Sequence, residues 1–326
     1  MTLHTEVLDI WQATESIHDA WLALCRETES LTDGLDATNG PVWTQALAQT
    51  FPEGVGMRIV VLKDDDDVVG LLPVVPEPGK PGRLMAASAL YGGRNGFLLN
   101  TPDTVLLAAL LRGLDEVAPG WTAIRLTLVT ASPSMKLLAQ AAHELGAGTV
   151  VEPGWESPRF PLLDDAKAFA KDMSKGLKQT LRTTGNKFAT TGTLHYQRLD
   201  DDPDIGQRLE DILTIERLSW KHSEGTAITN NPEQERFYRH LFPPARAAGL
   251  LSGMVMYLDE QPIAHNFGLL WGPVYCCLKH SNTEPFRALS PAQLLNAQLI
   301  EHLRGRGVQT YDFMGRSEPH KLRWSK

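Results

Sequence analysis

Apolar positions recur along this chain with two periods, and the switches between them outline its elements. Positions 17–29 and 42–50 carry the helical spacing, while 57–62 and 68–75 read as strands around Asp64-Asp65-Asp66-Asp67, which predicts a hairpin with a solvated acidic tip rather than a metal site. Positions 83–99 are strand-like but broken by Gly92-Gly93-Arg94-Asn95-Gly96. A Leu-rich helix is predicted over 104–117, where Pro119-Gly120 ends it, followed by a strand at 121–129, a helix at 134–146 and the beginning of a strand at 149–151. Beyond Pro153, Pro158 and Pro161 come a basic helix (165–188), a strand (194–199), a helix (204–220) and an interrupted helical stretch (233–248). Strands at 252–258 and 262–271 flank an Asp259-Glu260-Gln261 turn, and a third strand runs over 274–281. Leu295, Leu299 and Leu303 then mark a helix that Gly305 and Gly307 stop, before a last strand at 308–313. The two halves share one order of elements. We therefore expect two copies of an α/β unit, in domains at 1–155 and 156–326.

Composition narrows the classes. The 326 residues suffice for two domains with cores of their own, and 42% hydrophobic with 21% charged residues is ordinary for a globular protein. A formal net charge of −8 argues against a general nucleic-acid or anionic-membrane binder, which needs a basic surface. The first eleven residues are acidic without an apolar core, unlike a signal peptide, and no uncharged apolar run is long enough to cross a bilayer. Cys25, Cys276 and Cys277 are the only cysteines, so a reducing, cytoplasmic setting is expected. Cys276 and Cys277 read as core residues of a buried strand rather than nucleophiles. No Gly-x-Ser-x-Gly elbow, Walker loop or clustered histidine motif is present, and no metal is expected.

One local signal points to a ligand. In Arg287-Ala288-Leu289-Ser290-Pro291-Ala292-Gln293-Leu294-Leu295, Ser290 suits an N-cap, Pro291 the first helical turn, and Gln293 the reciprocal acceptor of a capping box. A helix start of this kind aims backbone N–H groups and the positive end of the macrodipole at an anion, typically a phosphate.

Three antiparallel strands, this loop, a helix and a further strand resemble the order found in GNAT acyltransferases. The Arg287…Ser290…Ala292 spacing resembles their Arg/Gln-x-x-Gly-x-Gly/Ala pyrophosphate loop, with Ser290 and Pro291 departing from its glycine-rich form. Other short segments occur in the order of the cellulose-biosynthesis (CelD/BcsL) acetyltransferases, which are related to the FemABX aminoacyltransferases. They are Phe160-Pro161-Leu162-Leu163, the stretch from Met173 to Arg182, Ser219-Trp220-Lys221, Gln261-Pro262-Ile263-Ala264, Tyr311-Asp312-Phe313-Met314-Gly315 and His320-Lys321-Leu322-Arg323-Trp324. The resemblance implies an α/β fold of two tandem GNAT-like domains with mixed, mainly antiparallel sheets. It also implies transfer of an acyl group, acetyl above all, from acetyl-CoA or another acyl-CoA to an amine of a small molecule, sugar or peptide. Arg287, Leu289, Ser290, Ala292, Gln293 and Leu294 would then hold the donor.

Such a transfer needs a proton acceptor for the amine, a donor for the oxyanion and a proton for the thiolate. Asp312, between Tyr311 and Phe313, is the first candidate, because an interior carboxylate needs a partner or a task; a salt bridge to Lys321 or Arg316 is the structural alternative. His265 and then His280 are further candidate bases, and Tyr275 and Tyr311 candidate proton donors. Lys171, Lys175, Lys178 and Arg182 form one positive stripe on the basic helix, either a solvated face or a grip on an anionic donor or acceptor. Lys178, Arg182, Trp220 and Lys321 are the expected substrate contacts. Two competing readings stand beside this one: aminoacyl transfer from a charged tRNA, which the acidic net charge disfavours, and a binding module that kept the fold without chemistry.

Overall fold

The computed structural model describes residues 2–27, 37–94, 96–129, 132–162 and 166–324. The end of the first predicted helix (28–29), Asn95 of the glycine-rich turn, Leu163, Asp165 at the predicted start of the basic helix, and Lys326 lie outside the described residues. The chain forms two compact units, Met1–Glu152 and Pro153–Lys326.

In the first unit the elements are β1 (Leu3–Asp9), α1 (Glu15–Glu27), α2 (Pro41–Thr50), β2 (Arg58–Asp64), β3 (Asp67–Pro76), β4 (Arg83–Ala86), β5 (Leu98–Leu99), α3 (Thr104–Arg112), α4 (Leu114–Val117), β6 (Ala123–Arg125) and α5 (Pro133–Glu144). The sheet runs β1-β2-β3-β4-β6, with β5 on β3; only β4 and β6 are parallel. The aspartate run is a hairpin tip, with Asp64 opposite Asp67 and Asp65, Asp66 and Asp67 exposed. The polar start of the chain, not read as a strand, is β1. It pairs antiparallel with β2 from Leu3↔Asp64 to Asp9↔Arg58, and its charges find cross-strand partners, Glu6 with Lys63 and Asp9 with Arg58. The predicted helix over 104–117 breaks at Gly113, where a Cβ would lie 2.5 Å from Val60 Cγ1; the helix presses too closely on the sheet there for any side chain. Val60, Leu72, Val74, Phe97, Leu107 and Leu110 fill the core between them.

The second unit comprises β7 (Arg159–Pro161), α6 (Ala166–Asp172), α7 (Lys175–Phe188), β8 (Leu194–Arg198), α8 (Ile205–Arg217), α9 (Trp220–Ser223), α10 (Pro232–Ala247), β9 (Leu251–Leu258), β10 (Gln261–Trp271), β11 (Val274–Asn282), α11 (Pro291–Gly305) and β12 (Thr310–Asp312). Its sheet runs β7-β12-β11-β10-β9-β8. From β8 to β12 the pairs are antiparallel three times and then parallel, the same sequence as from β1 to β6, and in each unit a helix crosses between the two parallel strands. The repeat expected from element order is thus a repeat of topology.

The basic helix is two helices. Ser174 Oγ accepts from Leu177 N at 3.2 Å and caps α7, so Lys171 belongs to α6 and the stripe on α7 is Lys175, Lys178 and Arg182, all exposed. The predicted helix over 204–220 likewise divides into α8 and α9, although Ser219 between them makes no side-chain capping bond and its Oγ donates back to Glu216 O at 2.8 Å. The predicted strand at 149–151 does not form, and β7 follows eight residues later.

β10 carries a bulge between Phe267 and Gly268. A Cβ on Gly268 would lie 2.1 Å from the Cys276 carbonyl oxygen and 2.9 Å from Tyr275 Cζ, so only glycine lets β10 and β11 close around it. Gly268→Ala should therefore destabilise the second unit by about 2 kcal/mol, the scale of an overpacked core. A urea melt measures it, and wild-type stability would mean that the strands part at no cost.

Candidate functional site

The parallel strands β11 and β12 stay paired only briefly, through Val274↔Thr310, Tyr275↔Tyr311 and Cys276↔Asp312. β11 continues to Asn282, but β12 ends at Asp312 and its chain turns away. Asp312 makes that turn. Its Oδ1 accepts from Met314 N at 2.8 Å and from Ser157 Oγ at 2.9 Å, Met314 takes a left-handed backbone (φ 54°), and Phe313 N donates to Pro158 O at 3.0 Å. Into the resulting opening falls a pocket lined by Asn266 of β10, His280 of β11, Ala292, Gln293 and Asn296 of α11, and Phe313, His320 and Trp324 of the C-terminal segment.

The start of α11 faces this pocket. Ser290 occupies the N-cap position, but with a left-handed backbone (φ 54°, ψ 48°), and its side chain makes no capping bond. The expected capping box does not form, since an N-cap oxygen reaches the first turn from an extended backbone. Gln293 instead turns its backbone N–H to Ser290 O at 3.1 Å, and its side-chain Oε1 is buried without a hydrogen-bond partner. Pro291 has no N–H, so Ala292 N–H is a donor of this first turn open to an anion. Thr184 of α7 ties the loop down by donating to Leu289 O at 2.7 Å.

Beneath the pocket lies a buried polar network centred on Asn266. Its Nδ2 donates to Asn296 Oδ1 and Tyr311 Oη, both at 2.9 Å, while its Oδ1 accepts from Tyr275 Oη at 2.9 Å and from Cys277 Sγ at 3.5 Å. Tyr311 donates in turn to Asn296 Oδ1 at 2.9 Å. Burial pushes both phenols well above their usual range and the Cys277 thiol up to about 11, so all three remain protonated. A thiol so held is no nucleophile. Two histidines border the pocket with ring centroids 5.7 Å apart. Burial, then the charge of Lys221, drives His280 well below its ordinary value. Burial likewise lowers His320, whose Glu318 neighbour works in the opposite sense and whose Nε2 is buried without a partner. Both rings are neutral at pH 7.

The other candidates are placed as follows. Ala292, Gln293 and His280 meet at the pocket. Tyr275 and Tyr311 lie one layer below it. His265 does not join them: it neighbours Asn266 on β10, so its ring points to the opposite face. There, fully buried, its Nε2 bonds Glu216 Oε1 of α8 at 2.8 Å. Burial pushes the Glu216 carboxyl up, but the bond to His265, the charge of Lys221 and the Ile228 N–H outweigh it and hold it at about 2. Burial lowers His265, so an ionised Glu216 faces a neutral ring that donates from Nε2. Arg287 lies over the Trp220 ring at 5.4 Å and pairs with Glu284 at 3.4 Å. Lys178 and Arg182 stay on the exposed face of α7, where Lys178 Nζ donates to Lys171 O at 3.2 Å. Lys321 is buried, bonded to Arg316 O at 2.8 Å and paired with Glu318 at 2.9 Å. Sequence reasoning passed over Asn266, Asn296, Phe313 and His320 as site residues. For Phe313 and His320 a signal existed, since both stand in segments that carried the family resemblance.

Comparison with known proteins agrees with this geometry. Residues 175–322 match the family model described as an acetyltransferase (GNAT) domain. Among solved structures the chain is similar to FemX (13% identity, TM-score 0.65, covering 98% of this chain and 94% of that one). It is also similar to a conserved protein of unknown function from Bacteroides thetaiotaomicron VPI-5482 (15%, 0.61, 98% and 95%). A tandem GNAT protein from the clavulanic acid biosynthesis pathway is a third (12%, 0.54, 98% and 92%). No protein of curated function matches the sequence. The fold is that of two tandem GNAT-like domains. No helix among the described residues is long and apolar enough to cross a membrane, and no three of their His, Cys, Asp or Glu side chains cluster as a metal site would require.

Proposed function

We propose that the chain is an N-acyltransferase of the CelD/BcsL type that moves an acyl group, acetyl above all, from acyl-CoA to an amine of a small molecule, sugar or peptide. The observation that carries the reading is the parting of β11 from β12 in front of a helix start whose side-chain cap is missing. The coenzyme's pyrophosphate rests at Ala292, beside Ser290 and Leu294, with Arg287 at the rim. Its thioester arm enters the pocket, where the buried Gln293 Oε1 accepts an amide N–H. His320, neutral and with a free Nε2, takes the proton of the attacking amine, and Asp312 acts by holding the turn that keeps the opening apart. No covalent enzyme intermediate is needed. The first unit lacks the feature: its crossing helix α3 is sealed by Asp103, whose carboxylate accepts from Val105 N at 2.6 Å and would repel a phosphate. Calorimetry with coenzyme A tests the reading, which fails if no binding is seen.

The α7 stripe supplies a second, sharper test. Lys178 and Arg182 are exposed and α7 is tied to the donor loop through Thr184, so the stripe can reach the coenzyme's 3′-phosphate. A Lys178→Ala, Arg182→Ala double variant should lose about tenfold in affinity for coenzyme A, on the order of two exposed charge contacts. It should lose nothing for 3′-dephospho-coenzyme A and melt at the wild-type temperature. Equal losses for both ligands would remove the stripe from phosphate recognition. A steep dependence of donor binding on salt, beyond what coenzyme A accounts for, would favour a tRNA donor instead.

A further inference from the structure

Wherever β12 accompanies β11, backbone groups of one strand meet those of the other. Past Cys276 that partner is gone, and a carbonyl on the vacated edge needs another donor. At His280 the donor is Lys221, whose Nζ reaches in from α9 to the His280 carbonyl oxygen. The ammonium thus supplies the donor that a neighbouring strand would have supplied. Its charge acts on His280 and His320 at the pocket face and on Glu216, His265 and Lys279 at the other.

An ammonium has three N–H groups. The His280 carbonyl is the one hydrogen-bond partner of Lys221 Nζ among the described residues, and no carboxylate of theirs lies within ion-pair distance of it. Lys321, by contrast, is already held by a carbonyl and a carboxylate. Lys221 is therefore a cation fixed by one bond, with donors to spare, on the backbone of the pocket-lining His280. A preorganised donor of this kind is worth most where negative charge develops during reaction.

We propose that Lys221 is a catalytic residue that receives the oxyanion formed on the thioester carbonyl in this opening. The inference rests on the acyl-CoA reading above. The amine lone pair forms a bond to the carbonyl carbon, and the π pair moves onto the oxygen, which Lys221 holds without giving up a proton. As the C–S bond breaks, that pair re-forms the carbonyl and the sulfur leaves as thiolate. The proton surrendered by the amine passes through His320 to the sulfur, and Lys221 ends as it began.

The test needs no acceptor. Carboxymethyl-coenzyme A is a thioether whose carboxylate sets an anionic oxygen where the acyl oxygen would be. Lys221→Gln keeps an N–H for the His280 carbonyl but carries no charge, and Lys221→Met removes both. Calorimetry should show both variants binding coenzyme A as the wild type does, and carboxymethyl-coenzyme A about ten- to a hundredfold more weakly, the scale of a hydrogen bond to a charged group. Lys221→Arg should recover most of the loss. In the wild-type protein the Lys221 ammonium resonance should shift on adding carboxymethyl-coenzyme A and not coenzyme A, a readout that stands even if the neutral variants do not fold. Unchanged carboxymethyl-coenzyme A affinity in Lys221→Gln, or an unmoved resonance, overturns the proposal while leaving the donor reading intact. A wild-type protein that binds coenzyme A not at all would instead overturn the donor reading and this proposal with it.

Discussion

Replacing Ala292 with Glu should cost the protein a hundredfold or more in affinity for coenzyme A while leaving the fold unchanged. Ala292 lines the pocket and offers the open N–H at the start of α11. A carboxylate there would stand about 4 Å from a bound phosphate, where two like charges repel by about 4 kcal/mol at an effective dielectric of 20. The helix itself tolerates the change, because an acidic residue in the first turn interacts favourably with the macrodipole. Far-UV circular dichroism should therefore remain native while the calorimetric signal for coenzyme A disappears. An equivalent substitution in the first unit, Val105→Glu on α3, should leave binding untouched, since Asp103 already seals that helix start. Undiminished affinity in a folded Ala292→Glu variant would move the donor site elsewhere.

What the sequence made legible here, and what it hid, divide along one physical line. Elements announced by local chemistry were readable: the hairpin tip at the aspartate run, the long strands of the second unit, and the span of α11 between Pro291 and Gly305. Elements that exist only because a partner strand is present were not. β1 has too little apolar character to declare itself, and the three-residue β7 is defined by its neighbours. The site follows the same division. The helix start was visible as Ser290-Pro291, but its left-handed cap was not, because serine gives no warning of a positive φ. Asp312 was picked out because a buried carboxylate needs a partner, and His265 because an imidazole suits a base; both are held by structural partners, Met314 N–H and Ser157 for one, Glu216 for the other. A one-residue step along β10 decides which side chain faces the pocket, and Asn266, not His265, faces it.

The buried pair of His265 and Glu216 should dominate the acid sensitivity of the second unit. Glu216 Oε1 bonds His265 at 2.8 Å and its Oε2 accepts from Ile228 N at 2.9 Å, with neither side chain of the pair exposed. Glu216→Ala would orphan both donors and should destabilise the unit by about 3–5 kcal/mol at pH 7, the usual cost of breaking a buried pair. Glu216→Gln can satisfy one donor but turns its own amide N–H toward the other, so it should lose about 3 kcal/mol. The pH dependence separates charge from shape. The Glu216 carboxyl lies at about 2 in the fold against 4.5 unperturbed, so the unfolded chain binds the extra proton between those values. The stabilisation is therefore fully present above pH 4.5 and lost as the pH falls toward 2. His265 acts in the same direction: its folded value is lowered from 6.5, so unfolding takes up a proton as the pH drops below that point. Urea melts of wild type and Glu216→Gln at steps from pH 7 to pH 3 should show a gap that narrows with acid. A gap of constant size would mean that the ionised carboxylate contributes nothing and that Glu216 serves only to fill its place between α8 and β10.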